Sequence, residues 1–154
     1  MNGDGGNIYG RDYYKDSKRL REDVLRIADT LKGNPKRFHI KNGIAMDVVI
    51  TKSDLKTIVG KNTSNNKFNA IKNALAKDIE GYLRKAKYAG WRNTVRGKHS
   101  ESAYFAYYSR TLGAKTYLCM REMKRDGYFK PYAIIDQKTF DAEIKNVSKK
   151  KPPR

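Results

Sequence analysis

Apolar residues at Leu20, Val24, Ile27, Ala28 and Leu31 recur at steps of three and four, which predicts a helix with one buried stripe. Asp16 or Ser17 stands where an N-cap belongs, and Gly33 with Pro35 marks the stop. The other face, with Lys18, Arg19, Arg21 and Arg26 beside Glu22 and Asp23, reads as solvated. Over residues 36–51 the period changes to two about Asn42-Gly43, a hairpin signal. A two-residue turn would set Phe38 against Asp47. A three-residue loop with Gly43 left-handed instead sets Ile40 against Ile44 and Phe38 against Met46, so all four apolar residues share one face, and this is the register expected. His39 then lies opposite Ala45 on the outer face, as a surface residue rather than a catalyst.

A short helical turn beginning at Ser53 or Asp54 follows, then the polar loop GKNTSNN. A long helix is expected over residues 67–87, with Phe68, Ile71, Leu75, Ile79, Tyr82 and Ala86 on one stripe and Lys72, Lys77, Arg84, Lys85 and Lys87 outside. Residues 88–102 read as loop, and residues 104–109, 115–123 and 128–135 as strands joined by tight turns. In the second of these, Thr116, Leu118 and Met120 should face the core and Lys115, Tyr117, Cys119 and Arg121 should face away. Pro131 favours an edge or a bulge, and Asp136 caps a last helix holding Phe140 and Ile144. The fold class expected is α+β: N-terminal helix, β-hairpin, long helix, three-stranded antiparallel meander and short C-terminal helix. One domain over residues 16–147 would carry a glycine-rich flexible leader at 1–15 and a basic disordered tail at 148–154.

Charge changes this picture most. Lys and Arg number 34 against 16 acids, a formal +18, which costs a compact state through self-repulsion and calls for a polyanionic partner. Nucleic acid comes first, because neutralising phosphates releases counterions. A single cysteine, Cys119, rules out an intrachain disulfide and a cysteine-based zinc site. No apolar run reaches the roughly 18 residues of a membrane span and no signal peptide follows Met1, so no membrane partner is expected.

Candidate chemistry gathers in residues 91–117, WRNTVRGKHSESAYFAYYSRTLGAKTY. Metal-free RNA cleavage needs a base for the 2′-hydroxyl, an acid for the leaving oxygen and cations on the phosphorane. His99 titrates near neutrality, and Arg96, Lys98, Arg110 and Lys115 could hold the phosphate. Trp91, Tyr104, Tyr108 and Tyr117 offer faces for unpaired bases to stack on. The acids Asp47, Asp54, Asp78, Glu80 and Glu101 form no paired-carboxylate motif, and none of Ser100, Ser102 and Ser109 sits in a nucleophile elbow. A transferase using Arg11 and Glu143 has no supporting motif.

The order FHIKNGIAMDVVIT, NAIKNALAKDIEGYLRKAKY leading to GW, KHSESAYFAYYSR, TYLCMREM and YFKPYAI resembles the Barnase-EndoU-Colicin-RelE (BECR) class of nucleases and related large polyvalent protein-associated domains. That resemblance implies a metal-independent ribonuclease toxin domain, without a cofactor, cleaving RNA such as tRNA. It implies delivery as the C-terminal part of a larger protein, action in the cytoplasm of a target cell, and an acidic immunity protein in the producer. In colicin-like and EndoU-like members a histidine with basic partners acts, which maps onto His99, Arg110 and Lys115. In RelE-like members cations and a tyrosine suffice, which maps onto Arg110, Lys115, Arg121 and Tyr117 or Tyr132. EndoU places two histidines in one region, whereas His39 and His99 are far apart in this chain. The competing expectation is a non-catalytic nucleic-acid-binding module of a phage or mobile-element protein.

Overall fold

The computed structural model describes residues 12–41, 44–93, 101–109, 112–123 and 126–143. Within them the chain is mixed α+β, with five helices and one six-stranded sheet. The first helix, α1 (Tyr13–Ala28), begins earlier than its apolar stripe suggests. Asp12 is the cap, accepting from the Lys15 amide at 3.1 Å, so Tyr13, Tyr14 and Lys15 belong to the helix and not to a leader. Asp16 and Ser17, the expected caps, are instead buried inside it. Leu20, Val24 and Ala28 are buried as the periodicity requires.

The hairpin β1 (Lys36–Ile40) and β2 (Ile44–Val48) adopts the three-residue-loop register: Ile40 pairs with Ile44, Phe38 with Met46 and His39 with Ala45. His39 is exposed. Residues 42–43, including the left-handed glycine expected there, lie outside the described residues. Helix α2 (Lys52–Gly60) starts on a reciprocal capping box between Thr51 and Asp54.

The single long helix expected next is two. Helix α3 (Asn66–Ala76) ends at Lys77, and Asp78 caps α4 (Ile79–Lys85) by accepting from the Gly81 amide at 3.1 Å. A Cβ at position 81 would meet that carboxylate in its capping position, so glycine leaves room for the cap. The apolar stripe runs through the break, because Leu75, Ile79, Tyr82 and Leu83 all reach the same core, and a break of this kind does not disturb periodicity.

Strand β3 (Lys87–Asn93) falls where a loop was expected; it precedes β4 (Glu101–Ser109), β5 (Ala114–Met123) and β6 (Tyr128–Asp136). The meander therefore has four antiparallel strands, not three, and the sheet order is β1-β2-β6-β5-β4-β3. The hairpin joins it in parallel at Val48↔Phe129, with the Val49 amide donating to the Phe129 carbonyl at 3.0 Å.

Helices α2, α3 and α4 pack on one face of the sheet with α1 laid on α2 and α3, and Phe38, Met46, Phe105, Leu118, Met120 and Phe129 fill the core between the layers. Tyr82 crosses this core: its buried hydroxyl meets the Thr116 hydroxyl at 2.9 Å and donates to the Phe105 carbonyl at 3.3 Å, and burial pushes its ionisation far above the ordinary tyrosine range. The short α5 (Gln137–Glu143), capped by Asp136 as expected, covers the opposite face. Among the described residues no helix is long and apolar enough to cross a membrane.

Candidate nucleic-acid interface

Alternation along β5 sends Lys115, Tyr117, Cys119 and Arg121 to the face turned away from the main core, as the sequence predicts. That face is not open along its length. Phe140 of α5 stacks flat on Tyr117, with centroids 3.8 Å apart and planes 4° from parallel, and meets Tyr104 edge-on at 5.5 Å. Tyr104 and Tyr117 are buried, and the Tyr117 hydroxyl donates to Gln137 Oε1 at 2.9 Å. These two rings, expected to stack on bases, have their faces taken by packing, and the Tyr117 proton is held by a neighbour. Trp91 packs against the main core on the other side of the sheet, so it does not join them either. Its indole nitrogen is buried without a hydrogen-bond partner among the described residues.

What stays open lies to either side of α5. Toward the β4–β5 turn, Tyr108 is 55% exposed and pairs across the sheet with Lys115, whose ammonium lies 5.7 Å from the Tyr117 ring. The turn is held by the Leu112 amide donating to Ser109 Oγ at 3.1 Å and by Gly113 at φ 63°. Six residues along β5, about 20 Å at the usual strand rise, lies the second opening, built on a β-bulge. Cys119 pairs with Ala133 and Met120 with Pro131, which leaves Tyr132 as the extra residue. Pro131 cannot donate to the ladder, and the bulge is how β6 accommodates it at the centre of the sheet.

The bulge arranges a cationic cluster. The half-buried Tyr132 ring has the Arg121 guanidinium 4.9 Å from its centroid and the Lys61 ammonium 5.4 Å from it. Lys61 also donates to the Tyr132 carbonyl at 3.2 Å. Helix α2 packs beside β6, and Lys61, the residue after it, reaches the bulge from there. Among the described residues neither Lys61, Lys115 nor Arg121 forms an ion pair with a carboxylate. Two cations about one aromatic ring repel each other, and a phosphate between them would relieve that repulsion.

Of the side chains expected to act, Lys115, Tyr108, Arg121 and Tyr132 flank this face, while Tyr104, Tyr117 and Trp91 serve packing. His99, Arg96, Lys98 and Arg110 lie outside the described residues. Lys61 went unnoticed in the sequence because nothing in GKNTSNN distinguishes it; only the position of α2 beside β6 makes it part of the site.

Comparison with known proteins finds no matching family model, no match among curated proteins and no match among solved structures.

Proposed function

We propose that this chain is a metal-independent ribonuclease toxin domain that holds single-stranded RNA along the α5 side of its sheet. The observation that carries the reading is the Lys61–Tyr132–Arg121 cluster, two cations on one ring with no carboxylate partner among the described residues, in a chain of formal charge +18. Such a cluster suits a phosphodiester, where counterion release drives binding.

For cleavage, His99 in the segment before β4 is the proposed proton-transfer group, with Arg110 and Lys115 stabilising the phosphorane. The 2′-hydroxyl would lose its proton to a base and attack phosphorus. The 5′-oxygen would leave with a proton from an acid, giving a 2′,3′-cyclic phosphate and a free 5′-hydroxyl. His99 and Arg110 enter this scheme from the sequence alone. The uncommitted cations also suit an acidic immunity protein, which would occupy the same surface.

The test is incubation of the purified protein with total RNA in EDTA. Cleavage is expected to persist, and His99→Ala or Arg110→Ala should abolish it without lowering the melting temperature. Cleavage lost with chelator and restored by magnesium would contradict the mechanism. Salt-sensitive binding without products would favour the second reading, a non-catalytic nucleic-acid-binding module, which the same Lys61–Tyr132–Arg121 cluster equally supports.

A further inference from the structure

Away from the sheet face, a polar cleft of about 290 Å³ opens between α1 and the start of α3, close to the lower end for small-ligand pockets of about 300 Å³. Tyr14, Ser17, Lys18 and Arg21 come to it from α1, one helical face at steps of three and four. Asn66 and Asn69 line the other wall.

The two faces of α1 differ in how their charges are matched. On one, Asp16 and Asp23 engage Arg19, Arg26 and Lys77. On the cleft face, Lys18 and Arg21 have no carboxylate partner among the described residues, and Lys18 lies 5.4 Å from the centroid of Tyr14. Tyr14 is 56% exposed, one of two large hydrophobic side chains so exposed among the described residues.

Behind the cleft the positive charge continues. Lys72, one turn beyond Asn69 on α3, is 2% exposed, and its ammonium donates to the Lys61 carbonyl. It has no carboxylate partner among the described residues. Burial, with the charges of Lys61 and Arg21 nearby, lowers its pKa to about 8. A buried cation surrounded by cations is costly unless an anion comes close.

The wall itself is rigid. Asn69 Oδ1 accepts from the Thr63 amide at 2.9 Å and the Thr63 hydroxyl at 3.0 Å, while Asn69 Nδ2 donates to the Thr63 carbonyl at 3.0 Å. This amide shapes the cleft, and these bonds leave one Nδ2 hydrogen of it uncommitted. The cationic and aromatic groups that line the cleft are Lys18, Arg21 and the ring of Tyr14.

We infer that this cleft binds one nucleotide unit, its phosphate between Lys18 and Arg21 and its base on the exposed Tyr14 ring. Lys61 links the cleft to the sheet face, since its carbonyl receives Lys72 while its ammonium sits on Tyr132. The nucleotide is thus part of the same RNA strand, a point that rests on the function proposed above. The cleft's affinity for a nucleotide does not.

The test titrates the full chain with adenosine 5′-monophosphate and, separately, with a single-stranded RNA of about ten nucleotides, within the span such surfaces cover. Arg21→Gln and Tyr14→Ala, both at exposed positions, should each weaken the mononucleotide about tenfold, as loss of one stacking or phosphate contact does, and should weaken the RNA as well. Arg121→Gln should weaken only the RNA. A mononucleotide that fails to bind, or binds parent, Arg21→Gln and Tyr14→Ala alike, overturns the cleft even if RNA binding persists through the sheet. If mononucleotide binding depends on Arg21 and Tyr14 while RNA does not bind, the cleft stands as a free-nucleotide site and the RNA reading fails.

Discussion

Two sides of this molecule use the same residue types in opposite ways. Along β1, β2 and α4, cations meet acids: Lys36 and Arg84 share Glu80 at 2.8 and 3.3 Å and Arg37 faces Asp47 at 3.2 Å; where α1 ends and α2 begins, Lys52 meets Asp29 at 2.6 Å. The Lys52 ammonium holds the Asp29 carboxyl below the usual carboxylate range. Around α5 and the α1–α3 cleft, the cations Lys18, Lys61, Lys115 and Arg121 sit instead by tyrosine rings. With 34 basic residues and 16 acidic ones, not every cation can be paired, and these four have no carboxylate partner among the described residues. An excess of charge becomes informative about function only when its distribution is uneven.

The largest expected effect probes what divides the rings of the sheet face into buried and open. Phe140→Ala should remove about 3 kcal/mol of stability, as truncating a buried aromatic does, because Tyr104 and Tyr117 both pack on it. Chemical denaturation checks this. A loss under 1 kcal/mol would mean that α5 rests loosely and that Tyr117 is open to ligands after all.

Lys72→Met comes next. With a folded pKa of about 8 against about 10.5 when unfolded, the unfolded chain binds more protons between those values, so stability rises with pH across that window. Below pH 8 both states are charged and the folded state carries the full cost, about 3 kcal/mol at most. Some of this is offset by the bond to the Lys61 carbonyl that methionine would lose. The variant should therefore be more stable than the parent at pH 7 by about 2 kcal/mol, and the gap should close by pH 10.5. Unfolding curves of the two proteins at both pH values decide it; a constant gap would show that Lys72 is not held as a buried cation.

The smallest effect belongs to the paired side. A double-mutant cycle on Arg37 and Asp47, both more than a third exposed, should give a coupling of about 0.5 kcal/mol, screened by salt. A coupling above 2 kcal/mol would mean that the matched pairs of this edge hold the fold rather than merely dispose of charge.

The hairpin register was legible because strand periodicity and turn geometry left one arrangement with Phe38, Ile40, Ile44 and Met46 together. Strand β3 was not, because Ala89 and Gly90 interrupt its alternation. The register slips between Tyr88 and Gly90, and Gly90 takes φ 138°, so a bulge reads as a loop. Lys72 was expected on the exposed side of its helix, yet it follows Phe68 by four and precedes Leu75 by three, inside the buried stripe. Residue type overrode position there. The tyrosine-bearing face was readable as a set of residues, but not which of its rings are open, because that depends on where Phe140 docks.

The central claim is that unpaired cations beside rings, and not total charge, bind nucleic acid. It is tested by RNA affinity measured against salt for two double variants of equal charge loss, Lys61→Gln/Arg121→Gln and Lys36→Gln/Arg37→Gln. The account predicts that the first loses about tenfold or more in affinity and has a salt slope shallower by one to two, as loss of phosphate contacts requires, while the second stays within about twofold of the parent. Equal losses in both would contradict it.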